Sequence, residues 1–404
     1  MTPNTTIPAG LWDRDVTRFE FDPPVILGGR DSVTELGAEL AEHGIDSAVV
    51  VCNPSVADTP EAIDPVIEHM GDRFAGLFSS ATSTKRLRDA WRAAQEVRDL
   101  NAESIVAVGA GSALDIATVA TTLVDTDRSF TDIVEYFLEH GRIPLDQNPR
   151  PLVAIPTTLA GAELSQGAGI NVEVPGGDGE VVSGGVSDPQ LRPRAVFYDP
   201  ELVSHTPKSI LRGSAMNGFN KGIESIYSPG ATPITDATAS RGLRLLLNSL
   251  PSLAEDDLET DTIEMILEGS MLVQYGTSRP GVTNLSVIHA FGHGVTAVSP
   301  VQQGIAHAVI TPHVLHHLLE QEPCRPNVFV DIFEVDEPDE VIEQVLILRD
   351  SLDLPTRFSE IDALDREMLP AIADATATDA LIDNLPNGIS LSYQDITRLL
   401  ETAW

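Results

Sequence analysis

Lysine is almost missing from this chain. Lys85, Lys208 and Lys221 are the only three in 404 residues, so 22 of the 25 basic residues are arginine. Against them stand 61 acidic residues, for a formal net charge of −36. A polyanion of this kind repels nucleic acid and anionic membrane surfaces, which removes both from the expected partners. Disorder is excluded from the other side, because 42% of the residues are still hydrophobic, and disordered acidic chains lose that fraction as charge climbs. The combination fits a halophilic cytoplasm, where carboxylates stay hydrated and salt screens their repulsion. Cysteine is equally scarce. Cys52 and Cys324 stand alone, neither in a CxxC pair, which excludes a disulfide framework and points to a reducing interior. No apolar run approaches the ~18 residues of a membrane span, and the opening "MTPNTTIPAGLWDRD" has no basic or apolar leader region. The expectation is a soluble, cytoplasmic protein, divided at this length into two domains.

What is present changes character near residue 200. Before it, the β-branched runs "SAVVVC" (47–52), "SIVAVG" (104–109), "PLVAIP" (151–156) and "RAVFYD" (194–199) alternate with helical stretches such as Ser83–Leu100. That alternation predicts a parallel α/β domain over 1–199. After it, segments 212–227, 235–250, 261–278, 284–298, 303–319, 337–352, 367–377 and 392–403 read as helix, predicting an all-helical domain over 200–404. The Gly/Pro-rich stretch 172–194 reads as a surface excursion before the hinge.

Two small-residue turns carry the first chemistry. In "VAVGAGSALDIATVA" (106–120) a buried strand runs into Gly109, Ala110, Gly111 and Ser112, and a helix opens with Asp115 in its first turn. Small residues there let backbone N–H groups approach a pyrophosphate at a helix N-terminus. The same turn can serve packing alone, and it is not a G-x-G-x-x-G fingerprint, since residue 114 is leucine. In "IPTTLAGAELSQGAG" (155–169), Thr157, Thr158 and Gly161 follow another strand and can line the opposite wall of a nucleotide or substrate cleft.

These segments, with "FYDPEL" (197–202), "SAMNGFNKGIESIYS" (214–228), "VIHAFGHGVTAV" (287–298), "GIAHAVITPHVL" (304–315) and the ending "NLPNGISLSYQDITRLLETAW" (384–404), run in the order of one family. The chain resembles the iron-containing (group III) alcohol dehydrogenases, nearest to their maleylacetate reductase branch. Dehydroquinate synthases are more distant relatives. The resemblance implies an N-terminal dinucleotide-binding domain, a helical C-terminal domain, a cleft between them where hydride passes between nicotinamide and substrate, and the family's habit of forming homodimers.

The resemblance also makes Lys221 informative. The family's four metal ligands fall here on Asn217, Lys221, His289 and Gln303, so three of the four ligand types are lost. A protonated amine cannot coordinate, and two amides with one imidazole are poor partners for Fe²⁺ or Zn²⁺. The expectation is an oxidoreductase without a metal, in which the Lys221 cation, helped by Asn217 and Gln303, stabilises the oxyanion of a carbonyl or alcohol substrate. A lysine paired with Glu224 in a dead site, and a Schiff-base lysine, are the competing readings. His289 then keeps its ligand position without the metal, while His293 matches the family's second histidine near the nicotinamide and is a candidate proton relay. His307, His313, His316 and His317 read as structural or solvent-facing. Arg212, upstream on the same helix, adds to the case for an anionic substrate such as an oxo acid or a phosphorylated carbonyl. Asn53 stands where the family often has an acidic residue for the adenosine ribose. A neutral side chain does not expel a 2′-phosphate, which leaves both NAD and NADP as cofactors. A lyase using NAD transiently and a non-catalytic paralogue are the alternative functions.

Overall fold

Valine, isoleucine and alanine runs that are apolar on both faces must be covered on both faces, and they form the centre of a parallel sheet. The computed structural model describes residues 19–177, 180–255 and 258–404. The sheet strands are β1 (Val25–Gly28), β2 (Ala48–Cys52), β3 (Phe74–Phe78), β4 (Ser104–Gly109), β5 (Leu152–Pro156) and, after the antiparallel pair β6 (Gly167–Glu173) and β7 (Val181–Ser187), β8 (Ala195–Tyr198). Their order is β1-β8-β5-β4-β2-β3, all parallel. Helices α1 (Leu36–Glu42), α2 (Pro54–Ala57), α3 (Pro60–Met70), α4 (Leu87–Asp99), α5 (Gly111–Leu123) and α6 (Phe130–His140) connect and cover these strands. The chain leaves β2 toward β3 at one edge and leaves β4 toward β5 on the other side. The loops after β2 and β4 therefore diverge and open a crevice at the carboxyl ends of the strands, the usual ligand position in such sheets.

The second half holds α7 (Pro200–Ser204), α8 (Lys208–Tyr227), α9 (Pro233–Ser249), α10 (Thr260–Gln274), α11 (Val287–Val298), α12 (Gln303–Leu319), α13 (Pro326–Phe333), α14 (Pro338–Ser351), α15 (Leu369–Thr378) and α16 (Tyr393–Ala403). Helix α8 is buried around most of its circumference, which its small residues allow. A Cβ on Gly218 would run into the Leu159 carbonyl, and one on Gly304 of α12 into the Gly213 carbonyl. These backbone approaches press α8 against the loop after β5 and against α12. Asn217 and Gln303 meet as a consequence. No described helix is long and apolar enough to cross a membrane.

Two expectations about local structure are corrected. The stretch 172–194 is not a surface excursion throughout, because its second part forms β7 and pairs with β6 from Gly167↔Ser187 to Glu173↔Val181. Ala168, Ile170, Val172 and Val186 are buried, and the glycines that read as loop signals serve close packing, a Cβ on Gly184 falling 2.6 Å from the Phe137 ring. The helix expected over 261–278 stops at Gln274, because Gly276 takes φ +75° and turns the chain into the short antiparallel pair β9 (Ser278–Arg279) and β10 (Val282–Thr283).

Candidate active site

The sheet side of the cleft is mostly backbone. Ala110 precedes α5 in an extended conformation and no side chain caps the helix, so its first N–H groups point into the crevice with the positive end of the dipole behind them. Gly109 lies at φ +138°, and a Cβ there would sit 2.6 Å from Asn53 Oδ1. Asn53 is a brace for this turn: its Nδ2 donates to the Ala81 carbonyl at 2.8 Å and Ser112 Oγ at 3.3 Å, and its Oδ1 accepts from Ala110 N at 3.3 Å. Thr157 N donates to the Gly109 carbonyl at 3.0 Å, which ties the loop after β5 to the same turn. Thr158 is buried beside it. Gly161, at φ +77°, turns its carbonyl toward the helical domain. This wall fits a dinucleotide pyrophosphate, with Gly109, Ala110, Gly111 and Ser112 as its cradle.

Asp115 is buried and forms an ion pair with Lys85 at 2.6 Å. Lys85 sits in the loop before α4 at φ +48°, a backbone region that lysine seldom adopts. Sequence reasoning passed over it. Its rarity in this chain was the one available signal.

The helical side is made of side chains. Asn217 and Lys221 lie one turn apart on α8, and His289 on α11 is fixed at both ring nitrogens. Its Nε2 is 3.1 Å from Asn217 Oδ1 and its Nδ1 is 2.6 Å from Glu224 Oε2. Asn217 Nδ2 in turn donates to Gln303 Oε1 at 3.4 Å. Glu224 also accepts backbone N–H bonds from Ser286 at 2.9 Å and His289 at 3.1 Å, so it serves the start of α11. Burial pushes the Glu224 carboxyl up to about 8. Burial, with the Lys221 charge, holds His289 well below the ordinary histidine range.

Lys221 is partly buried and donates to the Gly161 carbonyl, its only hydrogen bond among the described residues. Burial lowers its pKa, opposed by the charge of Glu163 and then that of Asp115. Glu163 is buried and accepts from Tyr198 at 2.9 Å and Gln274 at 2.5 Å. The expected alternative of a Lys221–Glu224 pair is not what the structure contains: Glu224 is taken by His289 and the α11 backbone.

Three more expectations meet their positions here. His293 is half-exposed, one turn from His289 on α11, with its Nδ1 2.8 Å from Asp379 Oδ2. Arg212 donates to the Leu253 carbonyl at 3.2 Å and lies 3.7 Å from Asp353, so it faces the outer helices and lends nothing to the cleft. His307 is fully buried, its ring 4.6 Å from that of His289, and neither of its nitrogens has a partner. It is one turn from Gln303 on α12, a spacing that could have marked it.

The donor set Asn217, Lys221, His289 and Gln303 does not fit iron or zinc, which take imidazole, carboxylate or thiolate donors. Among the described residues no three His, Cys, Asp or Glu side chains gather elsewhere into such a site.

Comparison with known proteins agrees with this architecture. A family model described as iron-containing alcohol dehydrogenase matches residues 23–200, and one for the C-terminal part of the same family matches 213–404. A maleylacetate reductase from Pseudomonas aeruginosa is 25% identical over 386 residues, covering 95% of this chain and 97% of that protein. A NAD-dependent methanol dehydrogenase from Bacillus methanolicus is 26% identical over 302 residues, covering 74% of this chain and 75% of that protein. Among solved structures, a sulfoacetaldehyde reductase from Bifidobacterium kashiwanohense in complex with NAD+ superposes with a TM-score of 0.83 at 21% identity, covering 96% of this chain and 99% of that one. The chain belongs to the iron-containing alcohol dehydrogenase family of oxidoreductases.

Proposed function

We propose that this protein is a NAD(P)-dependent oxidoreductase that interconverts a carbonyl compound and its alcohol without a catalytic metal, with the Lys221 ammonium in the place of the metal charge. The observation that carries the reading is the setting of Lys221. An ammonium has three donors, and one is used, by the Gly161 carbonyl. The remaining two have no partner among the described residues and are free for a substrate oxygen that gains negative charge.

Bound at α5, the nicotinamide cofactor supplies or accepts the hydride. The chain's own residues do the rest. The first N–H groups of α5 hold the pyrophosphate, and Asn53 keeps their turn in shape. Lys221 donates to the substrate oxygen and neutralises its charge, while Glu163, braced by Tyr198 and Gln274, favours the protonated amine. The buried Gln303 Nε2 has no partner and is a second, neutral donor. Glu224 fixes His289 and through it the orientation of Asn217. No carboxylate replaces Asn53, which admits NADPH beside NADH. The substrate class we favour is an oxo acid or another anionic carbonyl. The relatives' names, maleylacetate reductase and sulfoacetaldehyde reductase, denote reductions of carbonyl compounds that carry negative charge.

Fluorescence titration with NADH and NADPH in molar KCl, followed by turnover assays with a panel of oxo acids and aldehydes in excess EDTA, tests the proposal. Saturable cofactor binding and oxidation of the reduced cofactor are expected. A protein that binds neither cofactor is a non-catalytic paralogue.

A further inference from the structure

Two arginines in the interior form no ion pair with an acidic side chain among the described residues, in a chain that has more than two acidic residues for every basic one. Arg192 is 7% exposed and Arg279 is 4% exposed, and neither forms an ion pair among the described residues. Arg192 Nη2 donates to the Ser278 carbonyl at 2.7 Å and to Gln166 Oε1 at 3.3 Å. Gln166 Nε2 donates to the Arg279 carbonyl at 2.7 Å, so one glutamine links both. Arg279 Nη2 donates to the Gly230 carbonyl at 2.6 Å, while its Nη1 has no partner. Each guanidinium also lies over a phenylalanine ring, Arg192 over Phe21 and Arg279 over Phe19, but a ring supplies no counter-charge, and a buried guanidinium without one is unfavourable.

Arg279 lines a cavity of about 350 Å³ between the two domains, walled by the 165–167 segment and Ser187 on one side and by residues of the β9–β10 turn on the other. No acidic residue lines it. Its hydroxyl groups are arranged as donors. Ser165 Oγ accepts from Gly167 N at 3.1 Å, Ser278 Oγ from Gln166 N at 3.3 Å and Thr283 Oγ1 from Leu285 N at 3.2 Å. None of the three donates to a described residue, so their protons are left for the cavity.

We propose that this cavity binds a small oxyanion, a phosphate or carboxylate group, which takes the free hydroxyl protons, neutralises Arg279 and joins the 165–167 segment to the β9–β10 turn. The site is separate from the proposed catalytic groups and its occupancy needs no cofactor, so its test stands apart from that of the oxidoreductase reading. Bridging elements of both domains, the ligand raises the stability of the folded chain in proportion to its occupancy.

The experiment is calorimetric titration and thermal melting of the full chain with inorganic phosphate and with malonate, each against chloride at equal ionic strength to separate binding from screening. We expect one saturable site per chain for one of the two oxyanions, with a raised melting temperature. Saturation by phosphate assigns a phosphate group and saturation by malonate a carboxylate. Ser187→Asp, at an exposed position on the cavity wall, places a carboxylate there in advance. It is expected to weaken oxyanion binding at least about tenfold and to raise the melting temperature of the ligand-free protein. Arg279→Gln is expected to weaken binding as well, and Ser187→Asp decides the matter if that variant does not fold. Oxyanions that act no differently from chloride, or an affinity unchanged by Ser187→Asp, would overturn the proposal.

Discussion

On the sheet side of the cleft, the groups that would face a ligand are backbone N–H donors shaped by Gly109 and Gly111; on the helical side they are the side chains of Asn217, Lys221, His289 and Gln303. The two walls respond differently to substitution. A backbone cradle works with any residue small enough to keep the path of the chain, as Ala110 shows between two glycines. A side-chain constellation keeps its geometry while its chemistry changes completely: Asn217, His289 and Gln303 still converge through contacts of 3.1 and 3.4 Å, yet they no longer make a metal site. On the proposed reading, fold and cofactor cradle are inherited together while the electrophile is exchanged.

The largest expected effect falls on the helical wall. Lys221→Met keeps much of the stem and removes the charge, and it should lower kcat/KM by about 10²–10³, the usual loss for one oxyanion donor, with cofactor affinity and melting temperature nearly unchanged. Loss of stability with activity per folded molecule intact would return Lys221 to a structural role. On the sheet wall, Gly109→Ala forces a side chain into φ +138° and against Asn53 Oδ1 at 2.6 Å. It should cost about 1–3 kcal/mol of stability and weaken cofactor binding, measured by melting and NADH fluorescence. Unaltered NADH affinity would mean that the turn is only a packing device.

The smallest effect concerns acid. His307 and His289 are both held well below the ordinary histidine range by burial. Their folded pKa values are depressed, so the unfolded chain takes up protons below about pH 6.5 that the folded chain refuses, and each histidine removes about 1.4 kcal/mol of stability per pH unit there. Glu224 acts in the opposite sense. Its folded pKa is raised to about 8, so the stability it contributes below its unfolded pKa is lost as pH rises toward 8. Stability should peak near pH 6.5, and His307→Leu should flatten the acid limb between about pH 5 and 6.5. An acid limb of the same slope in the variant would contradict this account of His307.

How much of this the sequence revealed depended on whether a signal was local. The β-branched runs of β2, β4, β5 and β8 and the small-residue turn at 109–112 were legible because burial on both faces and a strand-to-helix turn leave marks on consecutive residues. Lys221 was legible through its rarity in the chain and through the resemblance, which puts it on a family ligand position one turn from Asn217. Lys85, Glu163 and His307 were not, since their importance comes from what approaches them in space: Asp115 across a loop, Tyr198 and Gln274 from two other elements, and the His289 ring from a neighbouring helix. The glycines of β7 misled for the same reason. Alone they read as loop, and only the Phe137 ring and the Gly141 carbonyl packed against Gly184 show why a strand needs them.

The central claim, that a cation of the chain does the work a metal does elsewhere in the family, is tested most directly by elemental analysis combined with turnover in a chelator. The purified enzyme is expected to carry no stoichiometric iron or zinc and to keep its full rate of NAD(P)H oxidation after exhaustive treatment with EDTA. One transition metal per chain, with activity lost on chelation and restored by Fe²⁺ or Zn²⁺, would contradict it.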